Sequence, residues 1–478
     1  MSSDSEVEAS GSRRKEVTEV EEVAPVITGT PALAARAATA PTMVEEEAEA
    51  ERPWALLASV PRRHGEPDLL RKHFSFHLVR PPCVSVLRAA ICITIGGRLL
   101  RETPATRSRG FYYPYVAAAD PSGAILLCAG HRSDWNGPDE PNRARFFLCD
   151  AASGKATQLP DHLFARHAGR MGLIRDDGGR VMVAYLNHAP ASASRQASTS
   201  LLCHWAGSEG WTTKPLACPV DVAARDWGKD GVVALGGRLW WVDLACGLLT
   251  CDPFADAPDL AYIPLPPGCG LPDAGPGVRR ELDKRRFVKA SRGRLRFVDI
   301  HLADDGGGDP TVTMWTARDG GWVPRYSVAF PEIWAHPSFT ASRAAEPERY
   351  DCDEVPLQDA DAEPLVPEVP ALALVNPFDP DVLYFWQGTQ VFAVDVPEKT
   401  VVARGGSFVM PKYRIPEGEF HSSRSLHAWV LPPAIVRDMD GPGCCFSFLN
   451  AVPSYLCGRD EEYSDHGSQE YLSPPDSE

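Results

Sequence analysis

Five aspartates follow short apolar runs, where carboxylates from several parts of the chain could together bind a metal ion or a cationic ligand. They are Asp150, Asp243, Asp252, Asp299 and Asp395. A single ring of ligands would need equivalent positions in a repeated structure, but these residues follow different strands of the repeat described below. We therefore expect each carboxylate to accept backbone N–H bonds in the turn that leaves its strand.

The histidines and cysteines form no recognisable catalytic or metal-binding pattern. The chain has no H-E-x-x-H motif, no P-loop and no G-x-S-x-G nucleophile elbow, and its thirteen His residues are scattered. The thirteen Cys residues include no C-x-x-C pair, and most lie in apolar runs, as Cys128, Cys149 and Cys203 do. We expect buried, reduced thiols, which suit the cytoplasm or the nucleus. The sequence therefore predicts no catalytic residue, no metal site and no cofactor.

The charge of the chain bears on its partners. The formal net charge is −16, which disfavours binding to nucleic acid or to an anionic membrane surface. Basic residues cluster at 279–280 and 284–286, and we interpret them as a solvated face, with a partner site or localisation signal as the alternative. No apolar run is long enough to span a membrane, and the Glu-rich N-terminus does not resemble a secretory signal.

The elements that must position these residues are short strands in a long-period repeat. Each unit contains four apolar runs separated by turn residues, and its second run starts near Ala124, Arg180, Arg238, Arg294 or Val382. The intervals are 56, 58, 56 and 88 residues. The longest interval contains Ala344–Pro370, an acidic and Pro-rich insertion of about thirty residues, whose removal restores the period. Four strands at this period are typical of β-propeller blades.

We therefore predict an all-β fold with a single β-propeller of six blades. Five blades are visible, and strands from the two ends of the ordered region would close a sixth. Seven blades is the alternative, and a pair of β-sandwich domains is the rival fold. The predicted domains are an acidic disordered tail at 1–52, a propeller at 53–435 with its insertion at about 344–370, and an extension at 436–478 that is disordered from about 459.

The segment Leu239–Pro267 resembles the signature of a large plant family, expanded in grasses and catalogued as domain of unknown function 1618. Its pattern is a W-V-D strand, a G-[IL]-L-x-C-D strand and a Y-[IV]-P-L-P strand. The residues that carry it, which we interpret as the frame of one blade, are Trp241, Asp243, Gly247, Cys251, Asp252, Tyr262, Pro264, Leu265 and Pro266. Trp240 and Trp241 alternate across their strand, so we expect one in each interface between blades.

A more distant resemblance, carried by residues 146–160, is to F-box-associated propellers. Those modules follow an F-box that docks a ubiquitin-ligase scaffold, but the region before Trp54 has no F-box-like helical pattern.

The family resemblance implies no activity, so the functional prediction comes from the fold and the motifs. We predict a monomeric, non-enzymatic scaffold that binds an unknown protein partner, and neither nucleic acid nor a membrane. One alternative is an enzyme, a hydrolase or an oxidase, with its site in the central channel. That site would need His residues or carboxylates from several blades converging on the axis. A second alternative is a substrate-recognition module related to F-box-associated domains but lacking the F-box.

Overall fold

Short apolar runs bounded by Asp, Gly and Pro form antiparallel hairpins along the chain. Gly236 and Gly237 illustrate the turn chemistry, since both have positive φ angles, 62° and 71°, at the tip of a two-residue hairpin. Most other residues are strained at such angles. The computed structural model describes residues 52–64, 73–90, 115–131, 143–160, 168–190, 198–219, 225, 227, 230–271, 276–302, 308–319, 321–344, 358–359, 364–408 and 422–436.

The first sheet begins with four strands from the N-terminal part of the described chain. They are β1 (Trp54–Ala58), β2 (Arg62–His64), β3 (Phe74–His77) and β4 (Val84–Ala90). β4 pairs with β1 and β2 in parallel along one edge, and with β3 in antiparallel fashion along the other. β1 is thereby left with one free edge, which a later strand must cover.

The next two sheets are regular four-stranded meanders, here called blades 2 and 3. Blade 2 contains β5 (Tyr115–Ala119), β6 (Ala124–His131), β7 (Arg143–Asp150) and β8 (Lys155–Gln158); a short 3-10 helix, Ala168–Arg170, leads to blade 3, with β9 (Met171–Arg175), β10 (Val181–Ala189), β11 (Ser198–Trp205) and β12 (Thr212–Pro215). In each blade the strands pair in chain order.

Blades 4 and 5 repeat this plan. Blade 4 contains β13 (Val232–Leu235), β14 (Arg238–Asp243), β15 (Gly247–Cys251) and β16 (Ala261–Pro264); helix α1 (Pro276–Arg285) leads to blade 5, with β17 (Arg286–Ser291), β18 (Arg294–His301), β19 (Thr311–Arg318) and β20 (Gly321–Ala329).

Blade 6 has a fifth strand and two additional helices. Its elements are α2 (Phe330–Ala335), α3 (Pro337–Ala344), β21 (Gln358–Asp359), β22 (Ala371–Val375), β23 (Val382–Gln387), β24 (Gln390–Asp395) and β25 (Thr400–Phe408). The short β21 lies outermost and pairs with the end of β25. The predicted insertion therefore begins at the end of α3 and contributes this extra strand.

The last strand completes the first sheet, which we call blade 1. β26 (Leu426–Val430), followed by helix α4 (Pro433–Val436), pairs with the free edge of β1 along the whole of both strands. The innermost strands of the six blades then contact one another in a closed circuit, β26 to β5, β9, β13, β17, β22 and back to β26. The predicted six-bladed propeller is confirmed. The seven-bladed alternative is wrong, because β1–β4 and β26 share one sheet.

The described residues form six apolar clusters, and one cluster lies between each pair of neighbouring blades. Trp241 lies in the cluster between blades 3 and 4, and Trp240 in the cluster between blades 4 and 5. The predicted alternation of the two indoles across β14 is thus confirmed. Each blade has two apolar faces, and closing the ring removes both from water.

Some predictions are not tested by the described residues, and some elements of the fold were not predicted. The tails expected at 1–52 and from 459, together with most of the insertion, lie outside the described residues. The four helices are additions that the strand repeat does not predict. None of the helices in the described ranges is long and apolar enough to cross a membrane.

Candidate functional site: the channel mouth

The segments that lead into the inner strands of blades 1, 4 and 5 converge at one mouth of the central channel. Three arginines and four aspartates from these segments and from the neighbouring strand ends form ion pairs there. They are Arg225, Arg286, Arg424, Asp230, Asp243, Asp283 and Asp299.

The first pair joins Arg225 to Asp243 at the end of β14. Arg225 Nε lies 2.6 Å from Asp243 Oδ2, and its Nη2 lies 3.2 Å from Oδ1. Oδ1 also accepts the N–H of Ala245 at 2.9 Å. Burial raises the pKa of Asp243, although hydrogen bonding to Arg225 opposes this rise. The two-pronged geometry holds the carboxylate ionised inside the protein.

The second pair joins Arg286, at the start of β17, to Asp299 in β18. Arg286 Nε and Nη2 lie 2.8 and 2.9 Å from the two carboxylate oxygens. Its Nη1 donates to the carbonyl oxygens of Leu244 at 3.2 Å and Cys269 at 2.8 Å, which ties blade 5 to blade 4. Burial raises the pKa of Asp299, and the charge of Arg286 opposes this rise.

The burial of Arg286 corrects the interpretation of the basic cluster 284–286 as a solvated face. Its guanidinium is buried because Asp299 and two carbonyl oxygens replace its water. Arg285, one residue earlier at the end of α1, is exposed. The change from helix to strand thus separates neighbours that look equivalent in the sequence.

The third group is centred on Arg424, just before β26. Its Nη2 lies 2.5 Å from Asp230, and its Nε lies 3.4 Å from Asp283 in α1. The N–H of Ser423 donates to the carbonyl oxygen of Asp283 at 2.9 Å. The Ser423 hydroxyl donates to the carbonyl oxygen of Arg286 at 3.2 Å. Residues 422–425 therefore bridge blades 1, 4 and 5 across the mouth.

Asp283 has the longest ion pair of the four aspartates at this mouth, so the burial of its negative charge is the least offset by a cation. Its side chain is 1 % exposed. Burial raises its pKa to about 6, and the charge of Arg424 and the Ser422 hydroxyl only partly oppose this rise. Because the group is enclosed, a proton and not a substrate is the species that can reach it.

Four of the five predicted strand-end aspartates accept the expected backbone bonds. Three of these aspartates end or directly follow the third strands of their blades. The N–H of Ala152 donates to Asp150 at 3.1 Å, that of Phe254 to Asp252 at 2.8 Å and that of Glu398 to Asp395 at 3.1 Å. Asp243 combines its backbone bond with the ion pair to Arg225. The expectation is wrong for Asp299, because both of its oxygens bind Arg286. Asp243 and Asp299 occupy equivalent positions in the second strands of blades 4 and 5, so these two do share one mouth.

The signature residues of blade 4 all have contacts within the blade or with a neighbour. Trp241 Nε1 donates to the carbonyl oxygen of Arg170 in blade 3 at 3.0 Å. The carbonyl oxygen of Pro264 accepts from Trp322 Nε1 of blade 5 at 2.8 Å. A Cβ on Gly247 would lie 2.4 Å from the carbonyl oxygen of Ile263 in β16, so only glycine fits this approach.

The remaining signature residues fix the turn and the end of the blade. The Tyr262 hydroxyl and the N–H of Leu265 both donate to the carbonyl oxygen of Cys246, each at 3.1 Å. The carbonyl oxygen of Pro266 accepts the N–H of Cys269 at 3.0 Å. Cys251 is fully buried, and burial raises the pKa of its thiol to about 12.

The cysteines of the described ranges form no disulfide bonds, and most of them are buried, as predicted. Six are buried and two, Cys218 and Cys246, are half-buried. In the same ranges no group of three or more His, Cys, Asp or Glu side chains is placed to hold a metal ion.

The arginines and two of the aspartates of the mouth were missed at the sequence level. Arg225, Asp230, Asp283 and Arg424 lie in connecting segments that follow no strand periodicity, so no signal in the sequence marks them. Asp243 and Asp299 carried a usable signal, because they occupy equivalent positions in the second strands of their units.

Comparison with solved structures gives only distant likenesses. The chain is similar to AztD from Citrobacter koseri, with 11 % identity, a TM-score of 0.27 and coverage of 65 % of this chain and 73 % of that chain. It is similar to xylan β-1,4-xylosidase from Bacillus halodurans C-125, with 10 % identity, a TM-score of 0.33 and coverage of 71 % and 72 %. Likenesses of this size carry no functional argument. No curated protein matches the chain.

The stretch that begins at Trp241 contains all nine signature residues and the Arg286–Asp299 pair. It supports the resemblance noted from the sequence, since residues 241–384 match the model of a family described as a protein of unknown function, DUF1618.

Proposed function

We propose that the protein is a non-enzymatic propeller scaffold that binds another protein through the rim of blade 6. One observation carries this proposal: the charged groups that converge on the channel mouth are buried or half-buried and are paired with one another. Their contacts hold blades together and leave the rim as the surface for recognition.

The competing enzyme would need carboxylates from several blades at the axis, and the mouth does bring such groups together. Asp243 and Asp283, however, are 2 % and 1 % exposed. A catalytic acid or base must lie within hydrogen-bond reach of its substrate. These carboxylates face guanidinium groups of the protein instead, which favours a structural role.

The rim of blade 6 has the features of a docking surface. Helix α3 is fixed to β25 by two bonds, Val401 N to Ser338 Oγ at 2.9 Å and Arg404 Nη1 to the carbonyl oxygen of Ser342 at 2.9 Å. The chain returns to the same strand at β21, so the elements on either side of residues 345–357, α3 and β21, both lie on the outer edge of the blade. Val402 in β25 is 50 % exposed beside these anchors.

The composition of the insertion indicates the chemistry of the partner. Residues 344–370 contain nine acidic residues and one arginine. A dense negative charge on a rim favours a partner with a basic surface, and it speeds their association through long-range attraction. A single exposed apolar side chain at the same edge can serve as an anchor.

The other parts of the proposal rest on the composition of the chain. Its net acidity and reduced cysteines support a monomer in the cytoplasm or the nucleus that binds neither nucleic acid nor membranes.

Affinity capture with the full chain tests the proposal. The test variant converts five acidic residues of the insertion to their amides, and the matched control does the same to five glutamates of the N-terminal segment. The test set is Glu346, Glu348, Asp351, Asp353 and Glu354, and the control set is Glu45, Glu46, Glu47, Glu49 and Glu51.

We expect wild type and control to capture the same basic protein, which binds again when purified and dissociates with added salt. The insertion variant should lose it. A partner retained by the insertion variant would contradict the assignment to the rim. Absence of a reproducible partner, together with stoichiometric metal in elemental analysis, would favour the channel enzyme. Capture of a ubiquitin-ligase scaffold would favour the recognition module.

A further inference from the structure

Lys289 lies inside the central channel on β17, the innermost strand of blade 5. Its Nζ donates to the carbonyl oxygen of Leu426 in blade 1 at 3.3 Å. The side chain is half-buried although its strand is innermost, so water reaches it through the channel. An ammonium group has three donors, and this bond occupies one.

No carboxylate of the described residues pairs with this ammonium. Within the described ranges no acidic oxygen lies within 4.0 Å of Lys289 Nζ. The nearby charge is Arg424, another cation, whose own partners are Asp230 and Asp283. Burial and the charge of Arg424 together lower the pKa of Lys289 to about 8.

The other polar side chain at this level is neutral. His427 in β26 has its Nε2 2.8 Å from the carbonyl oxygen of Val116, which only accepts, so Nε2 carries a proton and donates. Burial, together with the charge of Lys289, lowers the pKa of His427 to about 4, and the bond to Val116 opposes this decrease. Lys289 is therefore the cation that this level of the channel presents.

The inner strands around Lys289 carry small side chains. Ala234 is exposed although it lies on the innermost strand of blade 4, which shows that the channel is open to water there. Ala290, which follows Lys289 in β17, is likewise small and only half-buried. Sites for small ligands are commonly apolar cavities with a few placed polar groups.

We propose that the central channel binds a small anion, through a carboxylate or phosphate group held by the Lys289 ammonium. The two donors of Lys289 that no described residue occupies would form charge-assisted hydrogen bonds with the anion. The neutral Nε2–H of His427 is already committed to Val116, so Lys289 supplies the attraction.

The reactivity of Lys289 tests this site in the full-length protein. Reductive methylation with formaldehyde at pH 7, quantified for each lysine by peptide mass spectrometry, compares Lys289 with the exposed Lys155. Inorganic phosphate and acetate are added in separate arms, with sodium chloride at equal ionic strength as the reference.

We expect phosphate or acetate to slow the methylation of Lys289 by roughly tenfold or more and to leave Lys155 unchanged. The reason is that a bound anion favours the protonated form of Lys289. Raising its pKa from about 8 towards 10.5 lowers the fraction of free amine at pH 7 by up to about 300-fold. Equal rates in all three arms, or no methylation of Lys289 without added anion, would overturn the proposal.

A variant provides the second measurement. Lys289→Met keeps the length of the side chain and removes its charge. In wild type we expect phosphate or acetate to raise the Tm, since a ligand of the native state stabilises it. The Lys289→Met protein should lose this response, and Lys155→Met should keep it. A response that survives in Lys289→Met would place the anion elsewhere and refute the assignment.

Discussion

Replacing Asp283 by asparagine should stabilise the protein at neutral pH, although it removes a charged partner of Arg424. Asparagine has nearly the shape of a protonated aspartate. The buried carboxylate has its pKa raised from 3.8 to about 6 because burial disfavours its ionised form more than Arg424 and Ser422 favour it. Arg424 keeps its other partner, Asp230, in the variant.

The magnitude follows from the difference between the two pKa values. Above pH 6 the carboxylate is ionised in both the folded and the unfolded chain, and about two pKa units correspond to about 3 kcal/mol in favour of unfolding. Below pH 4 it is protonated in both, and this contribution disappears. The stability of wild type relative to the variant should therefore fall as pH rises from 4 to 6 and stay constant above.

The assay is urea denaturation followed by tryptophan fluorescence, at intervals between pH 4.5 and pH 8. We expect a higher midpoint for Asp283→Asn at pH 7 and a difference about one third as large at pH 4.5. Subtracting wild type from the variant isolates this group from the other aspartates that titrate.

Asp176→Asn is the matched control, because it is the same substitution at a carboxyl group whose pKa is lowered and not raised. Although burial opposes it, hydrogen bonds from Arg180 and Gly178 lower the pKa of Asp176 in an exposed turn. The control should be less stable than wild type at neutral pH, with a deficit that shrinks on acidification. If Asp283→Asn is less stable at pH 7, or if its difference from wild type does not change with pH, the carboxylate is not a net burden and the reasoning fails.

Two other predictions concern the frame of the propeller. Gly247→Ala should lower the free energy of unfolding by about 3 kcal/mol, since the added Cβ would lie 2.4 Å from the carbonyl oxygen of Ile263. Gly210→Ala is the control and should change this free energy little, because Gly210 has open space around it and an ordinary φ. Equal midpoints of the two variants in urea would contradict this prediction. Removing residues 437–478 should leave the Tm unchanged, but removing 422–478 takes β26 from blade 1 and should abolish the cooperative thermal transition seen by circular dichroism; a cooperative transition in the shorter chain would refute closure by that strand.

The strand repeat could be predicted in detail because it depends on a local pattern. The second strand starts at the predicted residue in four blades, at Ala124, Arg238, Arg294 and Val382. Turn residues and apolar runs fix these starts within a few positions along the chain, so a single sequence contains the information.

The channel mouth could not be predicted, because its partners are far apart in sequence. Arg424 and Asp230 are separated by 194 positions, and no periodicity relates them. The burial of Arg286 could not be predicted from its neighbours in the sequence either. The preceding residue, Arg285, is basic and exposed, and only the fold brings Asp299 and two carbonyl oxygens to the guanidinium of Arg286.

The pairing of β26 with β1 has a consequence for the synthesis of the protein on the ribosome. About 370 residues separate the end of β1 from the start of β26. At roughly 5–20 residues per second, the N-terminal strands wait about 20–70 s before their inner partner is made. Throughout that time an apolar strand edge is open to other nascent chains. Because of this interval, shielding of the strand edge until translation ends would limit such contacts.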